Sequence, residues 1–195
     1  MIASLRDRLP GRQRRVIERA QRAAVLVPIV DDGAPQRLLL TRRTDVLPTH
    51  AGQVAFPGGL VEPGEDAPAE TALREAEEEI GLPRDAVEVL GLLDDFPTRT
   101  DAVAVTPVVG VLRSVPRLQA RAAEVARIFD IPVAELVRAD RWTWRDETRG
   151  GRSLRIYYFL HEGETLWGLS ARIVLHLLEV SDLGPPVPLR LPEYR

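Results

Sequence analysis

The chain has 195 residues, 45% hydrophobic and 28% charged, which is enough for one globular domain with a buried core. Its net charge of -3 gives no general attraction to nucleic acid or to an anionic membrane. The sequence contains no cysteine and all 26 of its basic residues are arginine. That composition excludes disulfides, thiol nucleophiles, thiolate metal sites, Walker-type phosphate loops and lysine catalysis, and it fits a cytoplasmic protein.

Residues 1–22 are polar and basic, with seven arginines against Asp7 and Glu18. They predict a basic helical extension, with the helix over Arg12 to Arg22 after the Pro10-Gly11 break. Its face is expected to meet solvent, with a substrate-facing arm as the alternative. The longest wholly apolar run, Ala23 to Val30, is eight residues long and contains Pro28. A spanning helix needs roughly twenty. No apolar stretch follows the basic start, so no secretory signal is expected.

From Ala23 the pattern changes. AAVLVPIV reads as a buried strand, RLLLT (Arg37 to Thr41) as a second, and GQVAF (Gly52 to Phe56) as a short third that runs into a Pro57-Gly58-Gly59 loop. A helix fits Pro68 to Ile80, with Asp66 as its N-cap, Pro68 in the first turn and Gly81 as the stop. Strands are expected over Val87 to Leu93, Val103 to Leu112 and Glu124 to Phe129, followed by a helical turn at Val133 to Val137. WTW (Trp142 to Trp144) and LRIYYFL (Leu154 to Leu160) read as a strand pair around Arg149-Gly150-Gly151. A last helix fits Leu166 to Leu178, and residues 181–195 form a proline-rich tail. Most strands are not separated by helices, so a mixed sheet flanked by a few helices is expected rather than a doubly wound parallel one. The main domain is placed at 23–180.

The chemistry lies in GGLVEPGEDAPAETALREAEEEIGL, Gly58 to Leu82. Glu62 to Glu79 holds eight acids and one arginine. On a helix Glu75 shares a face with Glu78 and Glu79, and like charges at that spacing repel. They also crowd the last turn, where the helix dipole is already negative. Both terms oppose stability, and a divalent cation on the carboxylate face would offset them. Oxygen ligands alone favour Mg²⁺ or Mn²⁺ over zinc. A solvated acidic helix is the bland alternative. Two neighbours argue against it: the Gly58-Gly59 pair ahead of the helix, which lets backbone approach a phosphate, and Arg74, placed to orient the acids.

This segment resembles the Nudix box, G-x5-E-x7-R-E-U-x-E-E-x-G-U. Gly59, Glu65, Arg74, Glu75, Glu78, Glu79, Gly81 and Leu82 take the marked places, and Ala76 stands where a larger aliphatic residue is usual. Eight residues rather than seven separate Glu65 from Arg74, which leaves the role of Glu65 open. The resemblance implies an α/β/α sandwich built on a mixed sheet. It also implies hydrolysis of a nucleoside diphosphate linked to another group, with Mg²⁺ or Mn²⁺ as cofactor. Carried onto this chain, it makes Glu75, Glu78 and Glu79 metal ligands and Glu75, Glu79 and Arg74 catalytic residues. The general base is either Glu75 or a glutamate outside the box.

The flank LLTRRTDVLPTHAGQVAFPGG resembles the coenzyme A pyrophosphatase branch of that family. Leu39, Leu40, Thr41, Arg43, Gly52, Phe56, Pro57, Gly58 and Gly59 match, and the longer box spacing is a habit of the branch. Thr44 replaces a small residue and Pro48 replaces an arginine. VTPVVGVL (Val105 to Leu112) and LWGLSARIVLHLL (Leu166 to Leu178) also resemble the branch. The branch implies cleavage of coenzyme A to 3′,5′-ADP and 4′-phosphopantetheine. Arg42, Arg43, Gly58 and Gly59 are the substrate-binding candidates, because a guanidinium fork suits phosphate.

Other readings stay open: ADP-ribose, NADH or a dinucleoside polyphosphate as substrate, or a non-catalytic nucleotide-binding module. The partner is thus a small molecule such as coenzyme A, with no nucleic acid or membrane partner, and a homodimer is left open. Of the aromatics Trp142, Trp144, Tyr157, Tyr158 and Phe159, most are expected in the core, with one free to stack on adenine. His50, His161 and His176 are too scattered for a His-rich metal site. Gly168-Leu-Ser170 continues into Ala171 and Arg172, which rules out a G-x-S-x-G nucleophile elbow.

Overall fold

The computed structural model describes residues 1–46, 51–98, 100–149 and 152–189. Two strands dominate. β1 (Gln21–Val30) and β7 (Val103–Leu112) run parallel in register from Gln21↔Val103 to Val30↔Leu112. Each is a near-continuous apolar run, as a strand buried on both faces requires. β2 (Arg37–Arg43) pairs antiparallel with the end of β1. β3 (Val54–Ala55) and β8 (Val125–Pro132) then flank β2. β4 (Gly58–Leu60) pairs with the start of β1, and Pro28 falls in the gap between the β4 and β2 pairings. β5 (Glu88–Leu92) and β6 (Phe96–Pro97) pair with β7. The sheet is therefore mixed, as expected. A second, three-stranded antiparallel sheet holds β9 (Trp142–Arg149), β10 (Arg152–His161) and β11 (Glu164–Trp167).

Alternation along the strands divides the core in two. Ala24, Leu26, Val30, Val108 and Leu112 face helix α2 (Pro68–Ile80), which presents Ala72, Ala76 and Ile80. The small side chain of Ala76, fully buried, lets the helix lie close to the sheet. Val27, Ile29, Val109 and Val111 face the other way, towards Ala171, Val174, Leu175 and Leu178 of α4 (Gly168–Val180). The short helix α3 (Val133–Leu136) follows β8.

The N-terminal helix lies earlier than expected. α1 spans Ile2–Arg8, and residues 12–19 carry no helix or strand. Ile2, Leu5 and Leu9, spaced for one helical face, enter the main core. Five of the seven arginines of the segment are paired with carboxylates of the body: Arg6 with Glu88, Arg8 with Asp182, Arg12 with Asp94, Arg14 with Asp95 and Arg19 with Asp101. They are not displayed as a free basic arm.

Four further expectations need correction. The glycine loop is strand β4, bonded to β1. The N-cap of α2 is Ala67, not Asp66, and Glu70 does the capping by accepting the Asp66 and Ala67 N–H groups at 2.8 and 3.2 Å. β6 and β11 were not expected, and α4 begins at Gly168 because β11 occupies Glu164–Trp167. Among the described residues no helix is long and apolar enough to cross a membrane.

Candidate active site

The site is assembled where α2 crosses the start of β1. Gly81, left-handed at φ 66°, ends the helix, and the following chain folds Leu82 into the core. The last carbonyls of α2 are satisfied from outside the helix. Gln119 donates its N–H to Ile80 O and Arg121 donates to Glu79 O at 2.8 Å. This fastens the turn ahead of β8, with Glu124 in it, to the acidic end of the helix.

Glu79 is on the sheet-facing side and is 4% exposed. Its Oε2 accepts the Gly58 N–H at 3.3 Å, and its Oε1 lies 3.7 Å from Arg43 Nη1. Burial pushes its carboxyl up to about 7, against the pull of Arg43 and the Gly58 N–H, with Glu75 and Glu124 adding repulsion. Glu75 is raised too, first by burial, against Arg74, with Glu78 and Glu124 adding to the rise. Glu78 lies further out, with its side chain 47% exposed.

Arg74 ties the acids together. It donates to Glu65 Oε1 at 2.8 Å, to Glu75 Oε1 at 3.0 Å and to the Leu60 carbonyl at 3.1 Å, and it lies 3.5 Å from Glu78. Glu65 also accepts from Thr71 Oγ1 and the Glu62 N–H, and the Arg74 bond holds its carboxyl at about 2. The extra residue in the box is absorbed before the helix, and Glu65 still reaches Arg74.

The two glycines sit where a Cβ would collide with a neighbour as placed. A Cβ on Gly58 would lie 2.4 Å from Ala24 O and 2.6 Å from Val25 Cα. One on Gly59 would lie 2.2 Å from Glu75 Oε1. Glycine here lets the strand slide beneath the helix so that carboxylates and backbone meet.

The two adjacent arginines at the end of β2, Arg42 and Arg43, part company, as strand alternation demands. Arg43 is brought to Glu79. Arg42 points to the other face, bonding Asp45 at 2.7 Å and lying 3.7 Å from Glu164. Glu164 is shared with Arg127 at 3.3 Å, which links the second sheet to the first. Pro48 and His50 lie outside the described residues. Trp142, Tyr157 and Phe159 are buried, while Tyr158 stacks on Trp167 and Trp144 carries Arg155 over its ring. A cavity of about 600 Å³ opens elsewhere, between residues 8–12 and α4, and holds none of the α2 carboxylates.

Among the described residues no three carboxylate or imidazole groups already converge as a coordination shell. The donor set nevertheless suits a hard divalent cation: oxygens only, on two acids made costly by burial and by each other. Glu124 was missed by the sequence reading. Its signal is indirect, since the acid opens the predicted strand Glu124 to Phe129, whereas the structure leaves it in the turn before β8 and only the fold brings it to α2.

Comparison with known proteins agrees with this arrangement. Residues 20–149 match the family model described as the NUDIX domain. The chain is 46% identical over 157 residues to an uncharacterized Nudix hydrolase NudL of Yersinia enterocolitica, covering 80% of each. It is 40% identical over 171 residues to the protein of the same name in Photorhabdus laumondii, covering 88% of this chain and 90% of that one. Its fold is shared with the crystal structure of a Nudix hydrolase, RenU, from M. smegmatis, at a TM-score of 0.58 and 20% identity over 90% of this chain and 92% of that one. Box geometry, family match and long-range identity converge: the chain belongs to the Nudix family and is a Nudix hydrolase.

Proposed function

We propose that this hydrolase cleaves the diphosphate of coenzyme A, releasing 3′,5′-ADP and 4′-phosphopantetheine. The observation that carries the reading is Arg43. It belongs to the flanking pattern of the coenzyme A branch, and it stands 3.7 Å from the buried Glu79 beside the Gly58 N–H. A guanidinium at that point can bind a diphosphate oxygen next to the metal ligands.

In this reading Glu75, Glu78 and Glu79 hold Mg²⁺ or Mn²⁺. When bound, such a cation lowers the pKa of a water and neutralises phosphoryl charge. The chain's own residues do the rest. Arg74 fixes Glu75 through Oε1. Glu75 or Glu124 takes a proton from the attacking water, whose oxygen bonds to phosphorus as the bridging P–O bond breaks. Arg43 holds the diphosphate against α2.

The place of Arg43 decides which phosphate it reads. A residue facing Glu79 meets the diphosphate rather than the 3′-phosphate. Arg43→Ala should therefore lower kcat/KM roughly 10- to 100-fold on coenzyme A and on dephospho-coenzyme A alike. A loss confined to coenzyme A would instead make Arg43 a reader of the 3′-phosphate.

The test of the function is a substrate panel with Mg²⁺ and with Mn²⁺: coenzyme A, dephospho-coenzyme A, ADP-ribose, NADH and a dinucleoside polyphosphate. Coenzyme A is expected to give the highest kcat/KM. A higher value on any of the others overturns the assignment, and binding without turnover on all of them makes the chain a sensor.

A further inference from the structure

Three arginines surround the acidic face, and they are committed to different degrees. Arg74 has its side chain 12% exposed and is bonded to Glu65, Glu75 and the Leu60 carbonyl. Arg43, with its side chain 26% exposed, faces Glu79 from the end of β2. Arg121 has its side chain 56% exposed and holds Glu124 at 3.0 Å.

The backbone of Arg121 is fixed while its side chain can swing. Its N–H donates to Glu79 O at 2.8 Å, and its carbonyl accepts from the N–H groups of Glu124 and Val125 at 2.8 and 2.9 Å. Its ion pair is solvent-facing, and such pairs contribute little and break easily. Glu124 adds to the repulsion on both Glu75 and Glu79, so it lies within the field of the acidic face. A cation drawn to that face competes with Arg121 for Glu124. A diphosphate arriving with the cation offers the displaced guanidinium stronger acceptors than one shared carboxylate.

We propose that Arg121, outside the Nudix box, is a substrate-binding residue that exchanges Glu124 for a phosphate oxygen when metal and substrate bind. The substrate side of this rests on the pyrophosphohydrolase reading. The exchange itself does not depend on which nucleotide is cleaved.

The exchange predicts effects of opposite sign in one variant. In Arg121→Ala, Mn²⁺ binding without substrate, followed by electron paramagnetic resonance, should tighten by about 2- to 10-fold because the competing cation is gone. KM for coenzyme A at saturating Mg²⁺ should rise roughly 10- to 100-fold, with kcat within about threefold of the parent. Arg121→Met keeps the stem of the side chain and should behave alike, which covers poor folding of the alanine variant. An unchanged KM overturns the proposal. So does a parallel weakening of Mn²⁺ and substrate, which marks a merely structural residue. If the parent enzyme prefers another nucleotide, the KM measurement moves to that substrate. The coenzyme A reading then fails while the exchange is still decided, and the Mn²⁺ titration needs no substrate at all.

Discussion

Burial of Glu79 places a carboxylate where charge is costly, while its proposed role as a metal ligand requires the charged form. Its folded-state value of about 7 exceeds the ordinary 4.5, so the protonated form is favoured by folding. In metal-free protein the corresponding stability is complete below pH 4.5 and is lost as pH rises through about 7. Glu79→Gln removes this dependence. Above pH 7 the metal-free variant should exceed the parent by up to roughly 3 kcal/mol, while turnover is lost. Urea unfolding in a chelator at pH 5.5 and pH 8 measures it, and equal pH dependence in both proteins would refute the assignment. Added Mg²⁺ should restore the parent alone. Glu65 behaves oppositely. Held at about 2 by Arg74, it stabilises above pH 4.5 and loses that contribution as pH falls through about 2. The box pattern marks both glutamates, but their opposite electrostatics follow from depth in the fold, which spacing along the chain does not encode.

β4 lies between β1 and α2, and its two glycines should respond differently to the same substitution. In Gly58→Ala the new methyl meets the backbone of β1 at 2.4 and 2.6 Å, and that backbone is locked in the ladder with β7. Stability should fall by about 1–3 kcal/mol, and the Gly58 N–H should be drawn off Glu79 with loss of turnover. In Gly59→Ala the nearest atoms to the methyl are all in the carboxylate of Glu75, the end of a side chain that can swing aside. Stability should then change by less than about 1 kcal/mol, while turnover falls because Glu75 leaves Arg74. Denaturation and steady-state rates on the two variants separate the cases, and equal destabilisation would show that Glu75 cannot move. α2 was readable because Pro68 and Gly81 bracket it. β4 was not, because a three-residue strand carries too little periodicity. α1 was hidden by the arginines around it, although Ile2, Leu5 and Leu9 kept a helical spacing throughout.

Across the whole molecule, the N-terminal segment and the acidic face of α2 are linked through one row of the sheet. Thr106 stands opposite Ala24 in register, and Ala24 stands opposite Gly59. Thr106 donates its hydroxyl to Asp95 at 2.7 Å. Asp95, 3% exposed, also accepts from Arg14 and from the Ile17 N–H. One buried carboxylate therefore anchors the N-terminal segment to β7, which is separated from the glycines by β1 alone. The outer pair Arg6–Glu88, each side chain over 40% exposed, should contribute no more than about 1 kcal/mol. Removing the buried partner is another matter, since it strands Arg14, only 20% exposed, without its acid. Asp95→Ala should cost about 3–5 kcal/mol, against near zero for Glu88→Gln. Hydrogen exchange gives the spatial readout. The Ile17 amide should lose protection in Asp95→Ala and keep it in Glu88→Gln, and 1 M salt should reproduce the weak effect but not the strong one because buried pairs are screened least. Retained protection at Ile17 in Asp95→Ala would mean that Leu5 and Leu9 hold the segment without the carboxylate.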